Sequence, residues 1–203
     1  MKKKITFLLS LFVGVVATIS LSFKSETTIG TDPATPIIHW YTLEQAQHLS
    51  DSMPRKIFID FTTSWCGWCK TMDQNTFQNP IIAKYMDANY YCVKFNAETR
   101  DTVTFNGQKF ANRGAENQRS ANDFTITALQ GRLSYPSFTF VSKDRKNFTI
   151  MAGYMPPEQF EPYLHYYAEE KELTVQYEEY LKTFKSELPK KESAPKPIGP
   201  PQN

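Results

Sequence analysis

The stretch KIFIDFTTSWCGWCK, residues 56–70, decides the fold. Its first part, residues 56–63, is a nearly continuous apolar run, which is typical of a central strand covered on both faces. A helix is expected to begin at the cysteines and to run over residues 66–77. Cys66 and Cys69 therefore lie at a predicted strand-to-helix junction, and Cys92 is the only other cysteine of the chain.

A Cys-x-x-Cys pair that opens a helix is suited to redox chemistry. The unpaired backbone N–H groups and the positive end of the helix dipole favour an anion at that position. They lower the pKa of the first thiol from about 8.5 into the range of ~3.5–7.5. Because the thiolate is the species that attacks disulfides, Cys66 is the candidate nucleophile and Cys69 the resolving thiol. No cofactor is expected beyond this redox-active pair.

Two other uses of the pair are weighed against redox chemistry. A structural zinc site needs four ligands, and the remaining candidates are Cys92 and the scattered histidines His39, His48 and His165. A purely structural disulfide is conceivable, although closing so short a loop restrains the unfolded chain little. Cys92 is predicted to be a small buried apolar residue, and the histidines are predicted to be surface or packing residues.

The N-terminus is predicted to be a targeting segment. Residues 1–22 begin with three lysines and continue as an apolar run, which is the pattern of a signal peptide. A retained membrane anchor is the alternative, since the run is just long enough to span a bilayer. Either reading exports the protein to the periplasm or cell envelope, soluble or anchored, where thiols meet oxidising conditions.

The composition bounds the remaining organisation. Beyond residue 22 there are 20 basic residues against 21 acidic ones, so no basic patch argues for nucleic-acid binding. Residues 23–36 are predicted to be a linker, and residues 37–187 a folded domain. Residues 188–203 form a proline-rich tail that is expected to be disordered or extended.

The order of predicted elements is β-α-β-α-β, an insertion over about residues 98–134, and then α-β-β-α. This order predicts an α/β sandwich with a mixed sheet, because the last two strands form a hairpin. Four expectations are specific enough to be checked. They are a first strand over residues 37–42, a hairpin turn at Asn106-Gly107, a helix over residues 120–130 with a Ser120–Asp123 capping box, and an extra C-terminal helix near Tyr177.

Five features follow one another along the chain. They are Asp60 six residues before the first cysteine, Trp65-Cys66-Gly67-Trp68-Cys69-Lys70, Lys94, Pro136 in SYPSF, and Gly153. Together they resemble the thioredoxin superfamily over about residues 37–168. Within it the chain is similar to exported bacterial thioredoxin-like proteins with an insertion before the cis-proline.

The resemblance implies a three-layer α/β/α sandwich and a role for each matched residue. Asp60 would be a buried carboxylate that takes the proton of Cys69, and Lys94 would moderate the pKa of Asp60. The Tyr135–Pro136 peptide bond would be cis and would lie beside Cys66. The substrate surface would then comprise Trp65, Gly67, Trp68, Tyr135 and Pro136.

The function implied by the resemblance is that of a thiol–disulfide oxidoreductase. It would act on protein disulfides as a monomeric reductase and would be recycled by a membrane electron donor. An oxidase or isomerase of the same fold is the first alternative, and a binding module without turnover is the second. The insertion is interpreted either as a substrate gate or as an inert elaboration.

Overall fold

A five-stranded mixed sheet forms the centre of the protein, seen here in a computed structural model that describes residues 37–189. The strands are β1 (Trp40–Tyr41), β2 (Lys56–Thr62), β3 (Tyr90–Asn96), β4 (Val103–Phe105), β5 (Gln108–Phe110), β6 (Ser137–Val141) and β7 (Phe148–Ala152). The sheet has the order β1-β3-β2-β6-β7, with β1, β3 and β2 parallel and with β6 and β7 antiparallel to their neighbours. The predicted mixed sheet and its final hairpin are confirmed.

Helices cover both faces of this sheet. They are α1 (Leu43–Ser52), α2 (Gly67–Met72), α3 (Pro80–Asn89), α4 (Asp123–Ala128), α5 (Pro157–Ala168) and α6 (Tyr177–Thr183). Alternate side chains of β2 enter two separate hydrophobic clusters. Ile57 and Ile59 pack with α1 and α4, whereas Phe58 packs with α2, α3 and α5. The three-layer sandwich is therefore confirmed, and β2 is its buried central strand.

The helix that follows the cysteines changes its winding after six residues. Helix α2 continues as a π-helical turn over Asp73–Phe77. The chain then breaks at Asn79, whose side chain accepts hydrogen bonds from the first backbone N–H groups of α3. Pro80 occupies the first turn of α3, where a missing N–H group costs nothing. The helix predicted over residues 66–77 is therefore present, with π-helical winding over Asp73–Phe77.

The insertion begins with the predicted hairpin. Strands β4 and β5 pair around Asn106 and Gly107, which both have positive φ angles, 49° and 77°. Phe105 and Phe110 are buried and pack against Phe124 of α4 in the core. The hairpin therefore contributes to the hydrophobic core of the domain.

Two predicted elements have different bounds in the structure. The first strand is only Trp40–Tyr41. Helix α4 starts at Asp123, and its cap is Asn122, whose side chain accepts from the Phe124 N–H at 2.9 Å. Ser120 instead donates its hydroxyl to Asn112, so the Ser120–Asp123 capping box was wrong. The helix ends at Ala128, before the predicted end at residue 130, and Gln130 and Gly131 beyond it have positive φ angles, 52° and 76°.

The C-terminal helix α6 is present as predicted. Leu188 beyond it is buried, so the tail predicted over residues 188–203 was placed to begin too early. The segments predicted as signal peptide or anchor, as linker, and as the tail from residue 190 onward lie outside the described residues. Between residues 37 and 189, no helix combines the length and apolarity that a membrane span requires.

Candidate active site

The Cys66–Cys69 pair forms a disulfide at the junction between β2 and α2. The sulfurs are 2.04 Å apart and the Cα atoms 5.3 Å. Cys66 is the N-cap residue of α2, and its Sγ accepts a hydrogen bond from the Cys69 N–H at 3.1 Å. The predicted position of the pair is therefore confirmed. In the part of the chain that is described, no group of three or more His, Cys, Asp or Glu side chains is arranged to hold a metal ion.

Exposed aromatic side chains surround the pair in sequence and in space. Trp65 and Trp68 are 47% and 62% exposed, whereas Cys66 is only 4% exposed. The rings of Trp65 and Tyr135 pack edge to face with their centres 5.9 Å apart. The ring centres of Trp68 and Tyr154 are 5.5 Å apart. Tyr154 was not predicted as a site residue. It lies just beyond β7, where the sequence pattern only indicated a strand end.

The Tyr135–Pro136 peptide bond is cis, as predicted. The Pro136 carbonyl accepts a hydrogen bond from Gly153 at 2.8 Å, which joins two of the motif residues. Burial and the nearby charge of Glu98 raise the pKa of Tyr135 to about 12, so its phenol is protonated at neutral pH. Gly67 is exposed, and a Cβ atom there would meet nothing within 4 Å.

Asp60 is buried, and the alternation of β2 places it on the face of the sheet that α2 covers. It is 2% exposed, and strand pairing sets it beside Lys94 of β3. The Lys94 Nζ lies 4.0 Å from Asp60 Oδ2, and Asp60 Oδ1 has no hydrogen-bond partner among the described residues. Burial raises the pKa of Asp60 to about 7; Lys94 opposes that shift and Asp73 adds to it.

Asp73 is a member of this charge cluster that the sequence analysis missed. It forms a closer ion pair with Lys94 than Asp60 does. The Lys94 ammonium group also lies 4.7 Å from the ring centre of Trp40 and 5.8 Å from that of Phe77. Lys94 is thus shared between several partners and neutralises Asp60 only in part. The available signal was spacing, since Asp73 lies one helical turn after Cys69.

The remaining cysteine and the histidines lie outside the site. Cys92 is fully buried with its sulfur 3.8 Å from the Met86 carbonyl oxygen, and burial raises the pKa of its thiol. His39 and His48 are exposed, and His165 stacks on Tyr85 with ring centres 3.7 Å apart. The predictions for these four residues are confirmed.

The chain is similar to a known domain family and to parts of two other proteins. A family model described as a thioredoxin-like domain matches residues 43–168. The uncharacterized protein B0495.5 of Caenorhabditis elegans is 25% identical over 122 residues, which are 60% of this chain and 14% of that protein. Mouse spermatogenesis-associated protein 20 is 30% identical over 67 residues, 32% of this chain and 8% of that protein. The chain thus spans only a small fraction of either relative.

Three solved structures are also similar. The match to an oxidoreductase named DsbH includes 71% of this chain and 94% of that chain, with 19% identity and a TM-score of 0.47. The match to a putative disulphide-isomerase from Bacteroides thetaiotaomicron includes 64% of this chain and 93% of that chain, with 17% identity and a TM-score of 0.45. The match to a thioredoxin from Thermus thermophilus includes 63% of this chain and 85% of that chain, also with 17% identity and a TM-score of 0.45. These similarities are distant.

Proposed function

Because the chain belongs to the thioredoxin-like domain family, we propose that it is a thiol–disulfide oxidoreductase that acts on protein disulfides. The observation that carries the proposal is the Cys66–Cys69 disulfide at the N-terminus of α2. Once this disulfide is reduced, the Cys66 sulfur lies where the first N–H groups of a helix stabilise a thiolate.

The reaction proceeds through a mixed disulfide. The Cys66 thiolate attacks one sulfur of the substrate disulfide, and the bond that breaks releases the other substrate sulfur as a thiolate, which takes up a proton. The Cys69 thiolate then attacks the Cys66 sulfur and releases the second substrate thiolate. Two electrons have passed to the substrate, and the protein is left with the disulfide that the structure contains.

Asp60 is the proposed base for the second step. Cys69 must lose its proton before it attacks, and a base is most effective when its pKa lies near the working pH. The pKa of Asp60, raised to about 7 by burial, meets this requirement. Lys94 and Asp73 act on that pKa in opposite directions.

The substrate would bind around the exposed rings beside the pair. Trp65, Gly67 and Trp68 are all exposed, and Tyr135 packs against Trp65. An extended substrate segment could add to the backbone at Tyr135-Pro136, in the way that peptides extend the edge of a sheet. This mode suits unfolded or flexible protein segments.

We propose that the protein works as a monomeric reductase in the cell envelope, with a membrane electron donor to restore the dithiol. The pairing of the buried Asp60 with Lys94 supports the reducing direction, and the apolar N-terminal run supports export. An oxidase or isomerase uses the same residues with a different potential. A binding module would use the aromatic surface without turnover.

Turnover of a protein disulfide tests the proposal. The protein should accelerate the reduction of insulin by dithiothreitol above the rate with dithiothreitol alone, because the Cys66–Cys69 pair relays electrons through a mixed disulfide. Precipitation of the released insulin B chain reports the rate. A rate equal to the background would contradict the proposal and favour the binding module.

The equilibrium potential against glutathione tests the direction. We expect a value closer to about −270 mV than to about −120 mV, and a value near the latter would indicate an oxidase.

Trp68→Pro should make the equilibrium potential ~10–20 mV more negative. Opening the disulfide gives the backbone around it more freedom, and proline reduces that gain by about 0.4–1 kcal/mol, which disfavours the reduced form. The Trp68 N–H is in the first turn, so no helical bond is lost. Trp68→Ala controls for loss of the indole.

A further inference from the structure

Trp65, the residue directly before Cys66, is held on three sides by neighbouring side chains. Its indole N–H donates to Glu98 Oε2 at 3.0 Å, and its ring meets the edge of Tyr135. The guanidinium carbon of Arg119 lies over the ring, 4.9 Å from its centre. Arg119 belongs to the insertion, and this contact sets a positive charge on the face of the active-site tryptophan.

The segment that carries Arg119, residues 112–120, is a tightly built loop. Arg100 donates its guanidinium N–H groups to the backbone carbonyls of Gly114 at 2.7 Å, Ala115 at 2.8 Å and Gln118 at 2.7 Å, and to Asn112 Oδ1 at 3.1 Å. Asn112 also donates to the Ser120 carbonyl at 2.7 Å, which closes the loop. A Cβ atom on Gly114 would lie 2.0 Å from Ser120 Oγ, so this close approach requires glycine. The position of Arg119 is therefore set by the structure of the loop.

The Arg119 charge has no acidic partner within the described part of the chain. Arg113, on the same loop, forms an ion pair with Asp123 at 2.6 Å, whereas no such pair joins Arg119 to any described carboxylate. The carboxylate of Glu98 is engaged by the indole of Trp65. Arg119 is exposed, so its guanidinium can accept an anionic group from outside the protein.

We propose that Arg119 is a specificity-determining residue that favours substrate segments with an acidic side chain next to the disulfide. The inference rests on the proposed function, since it concerns which disulfides the Cys66–Cys69 pair reduces. A substrate cysteine joined to Cys66 brings its neighbouring residues alongside Trp65. A carboxylate there pairs with Arg119, while a lysine at the same place is repelled.

Two disulfide-bonded peptides test this inference. They are identical except that the residues flanking one cysteine are Asp and Glu in the first and Asn and Gln in the second. We expect kcat/KM to be up to about fivefold higher for the acidic peptide, the size of an exposed ion pair. Arg119→Gln should reduce this ratio to about one, and raised salt should reduce it in the wild type.

Matched variants separate recognition from a structural effect. Arg113→Gln removes one positive charge from the same loop away from Trp65 and should keep the preference. Glu98→Gln can still accept from the indole and should increase the preference, because a repelling carboxylate is removed. An unchanged ratio in Arg119→Gln, or an equal loss with both peptides, would overturn the inference while leaving the proposed function intact. Failure to reduce either peptide would overturn both.

Discussion

Cys66→Ser is expected to abolish insulin reduction, whereas Cys69→Ser is expected to capture substrate proteins as stable mixed disulfides. A serine hydroxyl does not attack disulfides at neutral pH, so the first variant cannot start the reaction. The second variant starts the reaction but has no thiol to complete it. The two cysteines are only three positions apart and share the same disulfide, yet their replacement gives opposite outcomes.

The two variants also control for each other in stability. Each loses the same disulfide, which closes a short loop and contributes about 2 kcal/mol to the free energy of unfolding. Any difference between them in captured protein must therefore come from chemistry. Non-reducing gel electrophoresis and mass spectrometry of the captured proteins would check the result. Capture by Cys66→Ser in place of Cys69→Ser would reverse the assigned roles of the two thiols.

The sequence predicted those parts of the site that depend on local order along the chain. The apolar run before the cysteines identified β2, and the position of Asp60 within that run indicated burial, which the structure confirms at 2% exposure. The pairing of Asp60 with Lys94 followed from the resemblance, and parallel register between β2 and β3 accounts for it. These features depend only on the alternation of side chains along β2 and on the pairing of β2 with β3.

The features of the fold and the site that the sequence did not predict depend on contacts between segments far apart along the chain. Asn122 caps α4 because it is fully buried and also donates to the carbonyls of Thr99 and Asp101. Ser120 satisfies the local capping pattern equally well, but its hydroxyl donates a hydrogen bond to Asn112. The stacking of Arg119 on Trp65 joins residues 54 positions apart through a loop with no regular period. No local pattern contains that information.

The buried carboxylate gives the second large effect, which is a pH-dependent change in stability. Asp60 has an ordinary pKa of 3.8 and a pKa of about 7 in the folded protein. Between these values the folded state holds a proton that the unfolded state has lost, so the free energy of unfolding falls as pH rises. The stability that the protonated acid provides is complete below about pH 4 and is lost as pH passes 7. Three pKa units correspond to roughly 4 kcal/mol.

Asp60→Asn should remove this dependence, because the amide is neutral at every pH. The stability of the variant relative to the wild type should therefore rise by several kcal/mol between about pH 4 and pH 8, with both proteins oxidised. Urea unfolding at a series of pH values measures it. Glu116→Gln removes one negative charge from an exposed side chain and controls for that loss. A relative stability that stays constant over this range would contradict a buried, proton-holding Asp60.

The same substitution should slow the second chemical step in spite of the gain in stability. Without the carboxylate, Cys69 lacks its proposed base, and a positioned base typically contributes ~10²–10⁴-fold to a rate. Asp60→Asn should accordingly accumulate the mixed disulfide at neutral pH, as a weaker form of the trap made by Cys69→Ser. Rapid acid quenching followed by mass spectrometry would measure that intermediate. A protein that becomes more stable and less active through one substitution would indicate that Asp60 is kept buried for its chemistry, because its charge weakens the fold at neutral pH.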